Sequence, residues 1–296
     1  MGLKVRIIGA DSIGSRSMAT VVEAGGVTIF IDPGVSYAPR RYGLPPHPRE
    51  LQRLREIEGR IRLELQRASI VVVTHYHYDH YIRGPGSPGL YRGKLLLVKD
   101  PRSNINVSQR IRAHRWLRLD GVESAADRVE VLDGRRFEVD GVVVEASPPV
   151  PHGAEGTPLG YVVMVMVECC GERFIHASDV QGPVYRGSIR WIAERRPDIL
   201  FISGPPTYFA GFKVSREEVE RGLEGLAETA RSSGLVIADH HFARDLRYPE
   251  LLEELSRRSG VRLLSAAEYI GAPYEPLEAL RRRLWEEEPP DSDRAS

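Results

Sequence analysis

The stretch Thr74-His75-Tyr76-His77-Tyr78-Asp79-His80 places three imidazoles and a carboxylate within a few residues of one another, directly after the apolar run Ile70–Val73. On an extended path, His75 and His77 are two residues apart and point the same way. Asp79 and His80 follow a bend and can face a second point nearby. One short loop can therefore supply ligands to two cations. Imidazole with carboxylate suits zinc, iron or manganese better than calcium or magnesium. A single histidine in a folded protein usually needs nothing beyond a hydrogen bond or solvent. Clustered at the end of a buried strand, these groups repel one another when protonated and lack partners when desolvated, and a cation relieves both costs.

The elements that must position this loop follow from periodicity. Residues 4–9, 19–23 and 27–31 read as strands, the last two joined by Gly25-Gly26 and closed by Asp32-Pro33-Gly34. A helix is predicted over Pro48–Arg67, where Leu51, Leu54, Ile57, Ile61 and Leu65 form one apolar stripe. The continuous β-branched run at 68–73 reads as a strand covered on both faces. A strand at 94–99 and a helix at 103–119 come next, and a β-rich block from 128 to 146 opens the second half. A hairpin turning at Gly171 follows, then a short helix at 188–194. Strands at Ile199–Ser203 and 235–238 then alternate with helices at 215–231 and 248–258. Ser215 and Glu218 have the spacing of a helix-capping pair. Strands followed by helices in each half point to two sheets packed face to face, with helices outside.

A metal centre needs more ligands than one loop offers, so later strand ends are the place to look. His152 follows the strand Val142–Ala146 through a proline-stiffened approach, Asp179 follows the strand ending near Ala177, and His240 and His241 follow Asp239. The residues alone leave the choice between His240 and His241 as ligand open, and the one that does not ligate is a candidate proton donor or a surface residue. His176, beside apolar Ile175, reads as a hydrogen-bonded core histidine, and exposure accounts for His47 and His114.

With these residues in place, the chain resembles the metallo-β-lactamase superfamily. The resemblance rests on His75-x-His77-x-Asp79-His80 followed by strand-end His152, Asp179 and His240, and covers nearly the whole chain. The closest likeness within it is to a mainly archaeal branch of predicted metal-dependent hydrolases, through Thr74-His75-Tyr76-His77-Tyr78-Asp79-His80 and Ser178-Asp179-Val180-Gln181-Gly182-Pro183. The resemblance implies an α/β fold of four layers, an αββα sandwich, over residues 1–271; the proline-flanked tail at 272–296, ending in Glu286-Glu287-Glu288-Pro289-Pro290, reads by its composition as a peripheral helix followed by disorder. The resemblance further implies that His75, His77 and His152 hold one metal, that Asp79, His80 and His240 hold a second, and that Asp179 bridges them. Asp79 would also orient a metal-bound hydroxide nucleophile, and Asp32 would support a ligand histidine. The expected cofactors are two divalent ions, zinc foremost, with iron or manganese as alternatives.

Composition limits the partners. The 296 residues are 42% hydrophobic and 28% charged, with 41 basic and 41 acidic side chains, so no net charge draws the chain to nucleic acid or an anionic membrane. No segment is long and apolar enough to span a bilayer, and the first residues read as a strand, which leads to the expectation of a cytoplasmic protein. Cys169 and Cys170 are adjacent and build no disulfide framework. Arg110, Arg112, Arg115 and Arg118, around Trp116, read as a solvated helix face rather than a grip for phosphate or carboxylate. The expected substrate is a small ester, lactone, thioester or phosphoester. The alternatives are a mononuclear iron, sulfur-oxidising dioxygenase and a nucleic-acid phosphodiesterase of the same fold.

Overall fold

Alternating and continuous β-branched runs build two sheets in the computed structural model, which describes residues 2–289. The first sheet holds β1 (Lys4–Ile7), β2 (Thr20–Ala24), β3 (Val27–Ile31), β4 (Ile70–Val73), β5 (Leu95–Val98) and β6 (Arg128–Val131), in that spatial order. Its first three strands form an antiparallel meander, and β3 to β6 run parallel. Parallel neighbours need crossovers, and helices supply them. The helix Pro48–Arg67 crosses from β3 to β4, burying Ile57, Ile61 and Leu65 against the sheet. Each such side chain contributes roughly 2 kcal/mol of apolar burial.

The second sheet is assembled from β7 (Arg136–Val139), β8 (Val142–Ala146), β11 (Val165–Cys169), β12 (Glu172–His176), β13 (Ile199–Ser203), β14 (Leu235–Asp239) and β15 (Leu263–Leu264), in the order β15-β14-β13-β12-β11-β8-β7. A separate ribbon pairs β9 (Val150–Pro151) with β10 (Tyr161–Val162). Side chains of both sheets, among them Ile29, Val72, Val144, Val165 and Phe201, share one apolar core. The outer face of the second sheet is covered through Trp191, Ile192, Leu223, Leu226, Leu252 and Leu255 of three helices. This is the four-layer αββα sandwich.

Three expectations need correction. The β-rich block from 128 does not open the second half: β6 pairs with β5 as the edge of the first sheet, and the boundary falls between β6 and β7. Alternation within a strand cannot reveal which sheet receives it. The helix expected at 103–119 starts at Val107, where the Asn106 side chain accepts from Gln109 N at 2.8 Å, and ends in a π turn at Arg115–Leu119. His47 is buried, not exposed. It caps the helix Pro48–Arg67, and its Nε2 lies 2.9 Å from the Glu288 carbonyl.

The helix Leu277–Glu287, expected at the periphery, docks on the body of the protein through charge. Arg281, with no exposed side-chain surface, forks onto Glu50 at 2.7 and 2.8 Å, and Glu278 pairs with Arg16. The tail expected to be disordered lies, from residue 290, outside the described residues. Among the described residues no helix is long and apolar enough to cross a membrane.

Candidate metal centre

Strand β4 is buried along its whole length and ends where its neighbours end, so the turn after it emerges at the edge of the paired sheets. Asp32, the residue after β3, fixes that turn: its carboxylate accepts from Thr74 N at 2.8 Å, Thr74 Oγ1 at 2.7 Å and His80 Nδ1 at 2.8 Å. The next loop residues lie tight against it. A β-carbon on Gly34 would stand 2.1 Å from Tyr81 N and 2.6 Å from His80 N, so only glycine fits there.

Around Asp179, at the end of β12, the strand-end histidines converge. The Nε2 atoms of His152, His80 and His75 lie 3.0, 3.5 and 3.7 Å from Asp179 Oδ2. His240 Nε2 stands 3.3 Å from Asp179 Oδ1 and 3.6 Å from Asp79 Oδ2. Two donor sets result, His75-His77-His152-Asp179 and Asp79-His80-His240, each with its ligand atoms within 4.8 Å of one another. Asp179 also groups with His240 and His241.

The donor chemistry fits divalent cations. The Nε2 atoms of His75, His80 and His152 and the Asp179 Oδ1 atom are buried without a hydrogen-bond partner. Such atoms cost free energy unless something completes them. Burial, reinforced by His80 and His77, holds His75 well below the ordinary imidazole range. Burial and His152 bring His77 down to about 3, which leaves both rings neutral and able to ligate. Burial would raise Asp179, but His240 and His80 outweigh it and keep the carboxylate ionised.

Remote residues hold the ligand rings. His240 Nδ1 lies 2.8 Å from Asp11 Oδ2, and Asp11 in turn accepts from Arg244 Nε at 2.7 Å. Asp239 accepts from Ser12 N and Ala266 N and so ties the Asp11 turn beneath β14. Gln181 reaches His152 Nδ1 at 3.2 Å through its side-chain amide. Ser178 bonds Thr74 Oγ1 at 2.7 Å and lies 3.5 Å from His75 Nδ1. Asp32 is expected through the family resemblance, and Ser178 and Gln181 lie in a stretch that carries that resemblance, though without an assigned role. Asp11 could not be found, because nothing in its local pattern distinguishes it. His176 lies apart from the donor sets, with Nε2 2.9 Å from the Met18 carbonyl.

His240 and His241 are distinguished by their surroundings. His240 is wholly buried and belongs to two donor groups, whereas His241 belongs to one and lines the cleft. Arg244 Nη1 lies 3.0 Å from His241 Nδ1. A guanidinium has only donors, so His241 Nδ1 must accept, and its proton sits on Nε2, 3.4 Å from Asp179 Oδ2. Burial and Arg244 hold His241 well below the ordinary imidazole range, so the ring stays neutral.

An αββα sandwich with clustered His and Asp side chains at the carboxy-terminal ends of its strands defines a metal-binding protein of the metallo-β-lactamase fold. Residues 13–86 match the metallo-beta-lactamase superfamily. Within it the chain belongs to the UPF0282 family. It is 49% identical over 297 residues to a UPF0282 protein of Aeropyrum pernix, across 97% of this chain and 99% of that one. It is 44% identical to a UPF0282 protein of Thermococcus gammatolerans, across 97% and 96%. Among solved structures it is similar to a metallo hydrolase from Ignicoccus hospitalis, with a TM-score of 0.52 at 15% identity over 89% of this chain and 94% of that one.

Proposed function

We propose that the protein is a dinuclear, zinc-loaded hydrolase that directs water at an ester, lactone, thioester or phosphoester bond of a small molecule. The observation that carries this reading is one ionised carboxylate, Asp179, beside two donor sets: it belongs to the first and lies 3.3 Å from His240 and 3.5 Å from His80 of the second, and the Nε2 atoms of His75, His80 and His152 have no hydrogen-bond partner. His75, His77, His152 and Asp179 would hold one cation, and Asp79, His80, His240 and Asp179 the other. Bound there, two such ions would supply a water of pKa roughly 7 and a Lewis acid for the oxygen of the bond under attack.

The chain supplies the rest. Asp32 and Asp11 accept from the Nδ1 atoms of His80 and His240, which turns each Nε2 inward. Asp79, partly open to the cleft, orients the attacking water. His241, with its proton on Nε2, faces the cleft as a neutral hydrogen-bond donor to the oxygen on which charge develops. Because burial and Arg244 hold it neutral, it acts by donating a hydrogen bond rather than as an imidazolium acid. The cleft has a volume of about 750 Å³, suited to a small substrate.

Elemental analysis of protein purified without chelator, paired with an ester and phosphodiester screen, tests the proposal. About two zinc equivalents per chain, lost together with hydrolysis in Asp179→Ala, are expected. About one iron equivalent with oxygen consumption on a persulfide would replace this reading with the dioxygenase alternative.

A further inference from the structure

Four arginines line the cleft over the metal centre: Arg16, Arg83, Arg112 and Arg244. Two are neutralised within the fold, Arg16 by Glu278 and Arg244 by Asp11. The other two have no carboxylate within 4.0 Å among the described residues. Instead both guanidiniums lie on one ring: Arg83 is 3.9 Å and Arg112 is 4.5 Å from the centroid of Tyr78. Two like charges drawn to the same aromatic ring repel each other, and the ring quadrupole offsets only part of that cost. Stacked guanidiniums keep their in-plane N–H groups open for an acceptor.

Tyr78 is also the residue between His77 and Asp79, so the chain itself fixes the arginine pair beside both donor sets. Tyr78, Tyr81, Arg83 and Arg112 further line an adjoining cavity of about 310 Å³, whose wall continues through Arg115, Trp116 and Asp120. The four residues thus border both spaces. The helix face read from sequence as solvated divides in the folded chain: Arg118 pairs with Glu123 at 2.7 Å, whereas Arg112 turns into the cleft.

We infer that Arg83 and Arg112, stacked on Tyr78, form an anion-binding subsite that holds a phosphoryl or carboxylate group of the substrate beside the metal centre, with an attached flat or apolar portion entering the adjoining cavity. The inference rests on the hydrolase reading only in treating the bound anion as part of a substrate. Bidentate N–H pairs from two guanidiniums match the oxygens of either anion, and the aromatic wall matches a ring.

Calorimetric titration of the metal-loaded protein, and of the same protein after chelator treatment, with phenylphosphonate, benzoate and benzyl alcohol tests the subsite. Expected is anion binding that survives metal removal and weakens at least tenfold in Arg83→Gln/Arg112→Gln, with metal content and thermal midpoint unchanged. Benzyl alcohol should bind no better to wild type than to the variant. Stronger binding of phenylphosphonate than of benzoate assigns the group as phosphoryl, and the reverse order as carboxylate. Anion binding unaltered by the double substitution, or abolished by chelation, overturns the subsite. In parallel, KM for an anionic aryl ester should rise in the variant while KM for a neutral one holds. Hydrolysis with both KM values unchanged removes the subsite and leaves the hydrolase. Arginine-dependent binding without hydrolysis of any ester removes the hydrolase and leaves the subsite.

Discussion

His240 Nδ1 and Asp11 Oδ2 lie 2.8 Å apart although 229 residues separate them in the chain. Asp11 thereby turns the ring so that Nε2 faces Asp79 and Asp179. Asp11→Asn is expected to weaken one of the two metals about 10- to 100-fold and spare the other, because only one donor set depends on it. Competition with a chromophoric chelator measures this. Equal weakening of both metals would argue against separate sites.

Gly34 sits where a methyl group would meet the backbone of His80 and Tyr81. Gly34→Ala forces the histidine loop outward and should cost about 1 to 3 kcal/mol in stability along with bound metal. Chemical denaturation and metal content report the two effects. A variant that keeps both would show that the loop yields cheaply.

His241→Ala tests the donor role. Metal content should stay near the wild-type value, because His75, His77, His152, Asp79, His80, Asp179 and His240 remain. Turnover should fall about 10²- to 10³-fold, the usual effect of losing one preorganised donor. Loss of a metal equivalent would instead make His241 a ligand.

The acid limb of stability should depend on Glu278. Burial would raise its carboxyl, but Arg16 outweighs that cost, with help from Arg244, and brings it down to about 2 from 4.5. A folded-state pKa below the unfolded value means stability that is fully present above about pH 4.5 and lost as pH falls toward 2. The shift corresponds to roughly 3 kcal/mol at neutral pH. Urea unfolding of wild type and Glu278→Gln should differ by about that much at pH 7 and converge near pH 2. A gap independent of pH would mean that packing, not charge, docks the last helix.

Much of this architecture can be read locally. The stripe Ile57, Ile61 and Leu65 specifies a helix with one buried face, and the run Ile70–Val73 specifies a buried strand, because periods of 3.6 and 2 are properties of neighbouring residues. The strand-end positions of His152, Asp179 and His240 are also local facts. Which sheet β6 joins, and why His47 is buried, are not. Each depends on a partner far along the chain, as with His47 and Glu288.

The sequence by itself determined the secondary-structure pattern, the four-layer fold class and the donor-rich loop from His75 to His80, since these rest on side-chain type and short-range spacing. Only the tertiary structure decided that the donor atoms converge around Asp179, that Asp11 aims the His240 ring, and that Arg83 and Arg112 meet on Tyr78 while Arg16 and Arg244 are neutralised. Those outcomes are contacts between residues tens to hundreds of positions apart. They depend on how the two sheets pack, which no local pattern encodes.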